Sequence, residues 1–180
     1  IEMTGNFYSI IDFLKLSFSL SGSTLEFTKY FGYGNESVYD VDSDDDEFYR
    51  IHQEVFQFGL NSSSEIVNNL FLNIGSKINF SGVSYKDNSY LASFVSEPFG
   101  IGKLWIANIY SKIEFDTRDN PNNSFSGINF GFQFDYFPKL FKHNTEFIKI
   151  KSSIASYFTF HPFTLAFRLG GEKINGTYPF

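Results

Sequence analysis

Between residues 113 and 171 apolar and polar residues alternate through three long segments. In the middle one Ile128, Phe130, Phe132, Phe134 and Tyr136 fall on one side, and Asn129, Gly131, Gln133 and Asp135 on the other. Successive side chains of a strand point to opposite faces, so this segment is a ribbon with one apolar and one polar face. The next segment sets Ile148, Ile150, Ile154, Phe158 and Phe160 against Lys149, Lys151, Ser153 and Thr159. The last sets Phe163, Leu165, Phe167 and Leu169 against Thr164, Ala166 and Arg168.

The same period runs through the earlier chain. Leu14, Leu16, Phe18 and Leu20 predict a strand, Gly22-Ser23 a tight turn, and Leu25, Phe27 and Phe31 a return strand. A third strand is expected over 48–60 and a polar turn at 61–64. The fourth carries Leu70, Leu72, Ile74, Ile78 and Phe80 opposite Asn73, Gly75, Lys77 and Asn79. A long connection over 82–102, with a short strand near 90–95, leads to a fifth. There Trp105, Ala107, Ile109, Ile113 and Phe115 oppose Asn108, Tyr110, Lys112 and Glu114. No helical period and no linker interrupts residues 1–180, which read as one all-β domain of about eight antiparallel strands.

Connection lengths add direction. Short turns at 22–23, 61–64 and 161–162 alternate with longer loops at 34–47, 82–102 and 138–145, the 116–126 turn being the one departure. Up-and-down barrels of outer membranes alternate in this way, and their strands show apolar-out, polar-in patterning over about ten residues. A soluble sandwich or closed soluble barrel has the same period with the apolar face inside. Alternation alone leaves the outward face open.

Composition narrows the classes. The chain holds 25 Phe, 11 Tyr and one Trp, residues that favour strands. No apolar run approaches the ~18 residues of a spanning helix, so a membrane reading has to go through strands. The formal net charge is −6 with no basic stripe, which argues against a nucleic-acid partner. There is no cysteine, hence neither disulfide nor thiolate metal site. The first residues carry no basic segment followed by an apolar one, so the chain is expected to be a mature or internal fragment.

Candidate chemistry is sparse. Asp40, Asp42 and Asp44 match the first, third and fifth ligand positions of a calcium-binding EF-hand loop, but Asp45 stands where glycine is needed and Ile51 where glutamate is needed. The acidic run 40–47 is expected to be a solvated loop. His52, His143 and His161 are scattered, and no nucleophile motif occurs, so neither an enzyme nor a cofactor is expected. Arg168 is a cation on the polar side of an apolar strand, expected either to pair with a carboxylate or a lumen loop or to stay water-exposed inside a wide barrel. Trp105 suits an interfacial aromatic girdle or ordinary packing.

The turn Asp116-Thr117-Arg118-Asp119-Asn120-Pro121, then Gly127 opening a strand, then Arg168-Leu169-Gly170-Gly171 and Pro179-Phe180, resembles the C-terminal barrel of the bacterial surface antigen family, the BamA- and TamA-like assembly factors. The likeness covers about the last third of the chain and is only architectural before it. It implies an outer-membrane, antiparallel up-and-down transmembrane β-barrel of ~16 strands, of which about eight are seen here. It also implies insertion of other barrel proteins or polypeptide translocation, with unfolded outer-membrane clients and lipid as partners. On that reading Ile128, Phe130, Phe132, Phe134, Ile148, Ile150, Phe163, Leu165 and Phe167 face lipid and Arg168 faces the lumen. The family's arginine-glycine lumen loop and periplasmic domains are not found in these residues. A passive porin-like barrel and a soluble binding sandwich are the alternatives. Taken physically, the hexapeptide is a well-made turn, with Asp and Asn bonding backbone and Pro121 fixing the bend.

Overall fold

The computed structural model describes residues 2–11, 14–30, 48–93, 100–141 and 146–179, with 6–11 and 25–28 described by backbone alone. Eight strands form one antiparallel sheet in chain order: β1 (Glu2–Ile11), β2 (Leu14–Lys29), β3 (Arg50–Val67), β4 (Leu70–Tyr85), β5 (Gly102–Asp116), β6 (Gly127–Phe137), β7 (Phe147–Phe160) and β8 (Phe163–Gly176). Each strand packs on its sequence neighbours, and β1 and β8 are open edges. The fold is therefore an all-β meander, consistent with part of a barrel that is not closed within these strands.

From β4 onward the strands follow the expected alternation. The first third differs in its punctuation. Gly22-Ser23 is not a turn: β2 runs straight through it, with Gly22 opposite Phe56 and Ser23 opposite Val55. Continuous ladder pairing on β3 outweighs the local turn signal of two small residues. Residues 61–64 likewise lie inside β3, and the reversal comes later, at Asn68 and Asn69, where Asn69 adopts φ 65°. Asparagine tolerates that left-handed conformation, which suits a two-residue hairpin. The strand count stays at eight because one expected hairpin is a single long strand and β1, unforeseen, precedes it. Of the expected short strand near 90–95, Tyr90–Ser93 form a 3-10 turn and residues 94–95 lie outside the described residues.

Short and long connections still alternate once the turns are placed correctly. One end of the sheet, here the lower, carries the tight links 68–69 and 161–162 and the 117–126 turn. The other, upper end carries the long links 30–49, 86–101 and 138–146.

Register fixes the faces. Phe115, Phe130, Ile154 and Leu169 are successive partners, as are Ile113, Phe132 and Ser152, so one apolar face runs unbroken from β4 to β8. All nine residues expected on the apolar face share it. Phe130, Phe132 and Phe134 remain 38–40% exposed, whereas Asn108 and Asp135 on the polar face are only 4% and 3% exposed. Neighbouring strands supply the packing, with no second sheet among the described residues. The polar side chains are therefore crowded by curvature: the polar face is concave and the apolar face convex. A soluble sandwich requires the reverse.

Candidate functional site

The concave face is a bonded lattice of polar side chains. Asn108 Nδ2 donates to Asp135 Oδ1 at 2.8 Å, and Gln133 Nε2 donates to both oxygens of the same carboxylate. Lys112 Nζ donates to Glu114 at 2.6 Å, and Asn129 Nδ2 donates to the other Glu114 oxygen. Glu172 pairs with Lys151 at 3.1 Å, with Lys149 at 3.9 Å. Tyr110 donates its hydroxyl to Asn61 two strands away at 3.0 Å. Gly75 makes that reach possible, since a Cβ there would fall 2.5 Å from the Tyr110 ring. Such a lattice satisfies most of the polar groups that curvature has taken out of bulk water, with the buried Asn108 Oδ1 left without a partner among the described residues.

The convex face has a measurable inclination. Leu70 is the lowest outward apolar residue of β4, and its row passes through Phe115, Phe130 and Ile154 to Leu169 on β8. On β8 the lowest outward apolar residue is Phe163, six positions further down. The band thus descends about 20 Å along the strand while crossing about 19 Å of sheet, at ~3.3 Å per residue and ~4.8 Å per strand. A level band needs strands inclined by about 45°, the tilt of membrane-spanning strands.

The upper margin descends in the same direction, in steps: Phe56, Phe80 and Trp105 share one row, Tyr136 and Ile148 lie four positions lower, and on β8 Leu169 lies six lower again. The highest outward apolar residues are Phe56, Phe80, Trp105, Tyr136 and Ile148, and the outward positions above them are Glu54, Gly82, Lys103 and Glu146, with Lys173 on β8. From Leu70 to Phe80 the band spans about 33 Å of strand, hence about 23 Å of height at that tilt, against ~25 Å for an outer-membrane barrel's apolar belt.

At the same level the inside changes character. Ile51, Val83, Leu104, Phe137 and Phe147 point to the concave side and are buried. Leu91, on the 3-10 turn, is 2% exposed and packs with Ile51 and Val83, so the β4–β5 connection folds inward. Phe137 and Phe147 stack with ring centroids 4.0 Å apart. Above the rim the sheet is apolar inside and charged outside. Below it the order is inverted. Reading strands singly missed this collar, because the change appears only when register sets the strands side by side.

The Asp116–Pro121 turn bonds almost entirely to itself. Arg118 donates from Nε and Nη2 to the two oxygens of Asp116 at 2.8 and 2.6 Å, and from Nη1 to the Pro121 carbonyl. That clamp holds the guanidinium above its ordinary pKa. Asp119 does not share Arg118. Its Oδ1 accepts from the amides of Asn120, Phe125 and Ser126 at 3.0, 3.0 and 3.2 Å, which keeps the carboxyl below its usual range. Asn120 Oδ1 caps the amides of Asn122 and Asn123, and Thr117 Oγ1 accepts from Ile128 N. Gly127 sits at φ 105°, where a Cβ would be 2.4 Å from the Thr117 carbonyl, so glycine is required where β6 begins. The arrangement is a structural turn, and it leaves no group poised for chemistry.

The remaining candidates separate. Arg168 faces the concave side opposite Ala155, but on the open edge it is exposed and pairs with no described carboxylate. His52 points outward above the rim, 3.6 Å from Glu54. His161 is in the β7–β8 turn, while His143 and the acidic run 40–47 lie outside the described residues. Among the described residues no cluster of His, Asp or Glu is able to hold a metal ion. No family model, curated protein or solved structure matches the chain.

Proposed function

We propose that the chain is a sector of a transmembrane β-barrel in a bacterial outer membrane. Its work, as the resemblance to the surface antigen family implies, is to insert other barrel proteins or translocate polypeptides. No covalent chemistry and no cofactor is involved. The observation that carries the membrane part is the inclined convex band, about 23 Å high on β4 and bounded above by Glu54, Lys103, Glu146 and Lys173. A convex apolar face costs free energy in water and none in hydrocarbon, while the concave lattice suits a wet lumen. Open edges at β1 and β8 do not stand in hydrocarbon, because each unpaired backbone group costs several kcal/mol there. Completion by further strands is therefore part of the proposal.

The insertion role rests on the turn and the β8 residues that resemble the family. The polar concave face equally suits a passive porin-like barrel, which is the second reading. The test is to express the full protein with its export signal and run the outer-membrane fraction unheated and boiled on a gel. Heat-modifiable migration is expected; a soluble protein with no shift would sink both readings. Purified protein in vesicles is then offered an unfolded outer-membrane client. Faster client folding favours the insertion role, and solute leakage without it favours the passive barrel.

A further inference from the structure

The upper rim is not uniform around the sheet. Phe80 and Trp105 are direct partners on β4 and β5, their ring centroids 5.0 Å apart. Phe141, from the β6–β7 connection, brings its ring to 6.2 Å from Trp105. The described part of that connection, 138–141, lies outward against the convex face, whereas the β4–β5 connection folds inward at Leu91. The outward fold leaves Leu140 63% exposed and Trp105 43% exposed, a poor arrangement in bulk water. Directly above Trp105 on the same face stands Lys103, opposite Gly82, over which the Phe80 ring edge and the Glu54 carboxylate lie. Lys103 is exposed and pairs with no described carboxylate. Glu54, next along that row, has one oxygen 3.6 Å from His52 and the other against Gly82. Lys139, two residues before Phe141, is exposed on the same segment.

Rings at the belt's edge with lysines just above them match the chemistry of a phospholipid at the depth where chain meets headgroup. Tryptophan settles at that depth because its ring is apolar and its N–H polar. A lysine one outward position higher is at the height of the phosphate, and its stem covers apolar surface on the way. We propose that Phe80, Trp105 and Phe141, with Lys103 and Lys139, form a binding site for an anionic phospholipid. The rings take the glycerol and first acyl carbons, and the lysines take the headgroup phosphate. The Pro138–Phe141 segment thereby anchors the upper edge of the barrel in the interface. This inference rests on the membrane-spanning reading and adds a place and a headgroup preference to it.

The test uses the full protein in phosphatidylcholine vesicles brominated either near the headgroup or deep in the chains. Trp105 emission is isolated as the difference between the protein and its Trp105→Phe variant. Shallow bromines are expected to quench it roughly twofold more than deep ones, as an interfacial ring requires. Adding brominated phosphatidylglycerol is expected to quench beyond its mole fraction. That excess should be lost in the Lys103→Gln, Lys139→Gln double variant and kept when both lysines become arginine. Quenching that is strongest with deep bromines, or an excess that survives the glutamine variant, would overturn the site. Inorganic phosphate producing the same emission change in phosphatidylcholine would also overturn it, because the lipid would then be unnecessary. The unheated gel run on the same vesicles separates the two levels of inference. No heat shift means the membrane reading has failed, and a heat shift without bromine quenching means that only the lipid site has.

Discussion

Two regions of one sheet, below and above the rim marked by Phe80 and Trp105, distribute polarity in opposite ways. Below, Phe132 and Ile113 point out while Gln133 and Lys112 point in. Above, Lys103 and Glu54 point out while Leu104 and Ile51 point in. The strands are continuous through the change, so backbone geometry is not its cause. On the membrane reading proposed above, what differs is the solvent each height meets. Hydrocarbon outside and water inside select the lower pattern, and water outside selects the upper one. The comparison therefore says more than either region does alone.

The largest effect should come from charging the lower band. Phe132 stands near mid-height of that band, and Phe132→Arg is expected to cost about 2–4 kcal/mol of folding stability in vesicles, the penalty of a cation at the bilayer midplane. Ser84→Arg places the same side chain outward above the rim, opposite His52, and should change stability by no more than about 0.5 kcal/mol. Urea titrations of both variants in the same vesicles give the contrast. Equal costs would mean that the rim is not a solvent boundary.

A smaller loss is expected in the collar. Leu91 fills the space between Ile51 and Val83, and Leu91→Ala should loosen that cluster by about 2–3 kcal/mol, near the low end for a buried leucine because the cluster is small. The effect should be local. Protease is expected to nick the β4–β5 connection faster, while the heat-dependent gel shift of the barrel stays unchanged. Loss of that shift as well would mean that collar and band fold as one unit, which would erase the distinction between them.

How much of this was legible depended on how far each residue's role is set by its strand alone. The faces of β4 to β8 could be read because Leu, Ile and Phe recur at every second position there. The first hairpins were harder. Gly22-Ser23 looks like a turn by local chemistry, but Gly22 is an outward position lying against Phe56. Asn61 looks like loop polarity, yet it is an inward strand residue that accepts the Tyr110 hydroxyl. Both misreadings share a cause: small or polar residues inside a wet-lined sheet imitate turns. The collar was illegible for a different reason. Leu104 and Trp105 alternate normally, and only register reveals that the polarity of the two faces has exchanged.

The turn below the band offers the smallest effect and a test of whether its ends are tied by charge or by shape. Asp119 accepts three backbone amides through one oxygen, and these bonds hold its carboxyl below the usual range. Because the folded pKa is depressed, the carboxylate's contribution is complete above the unfolded value near about 4. It is lost as pH falls through the lower, folded value. Hydrogen-exchange protection of the Phe125 and Ser126 amides, corrected for intrinsic exchange, is therefore expected to drop at acid pH in the natural protein. Asp119→Asn keeps an acceptor oxygen but has no proton to gain, so its protection should be lower at neutral pH and flat toward acid. Asp119→Ala should lose protection at every pH. If the asparagine variant shows the same acid drop, the sensitivity belongs elsewhere, and the Asp116–Arg118 clamp is the remaining ionic tie in this turn. In either case the 127–137 strand and its Phe-lined face should keep their register, because β6 is held by β5 and β7 along its length. The turn chooses where the ribbon reverses, and the solvent on each face chooses which way it points.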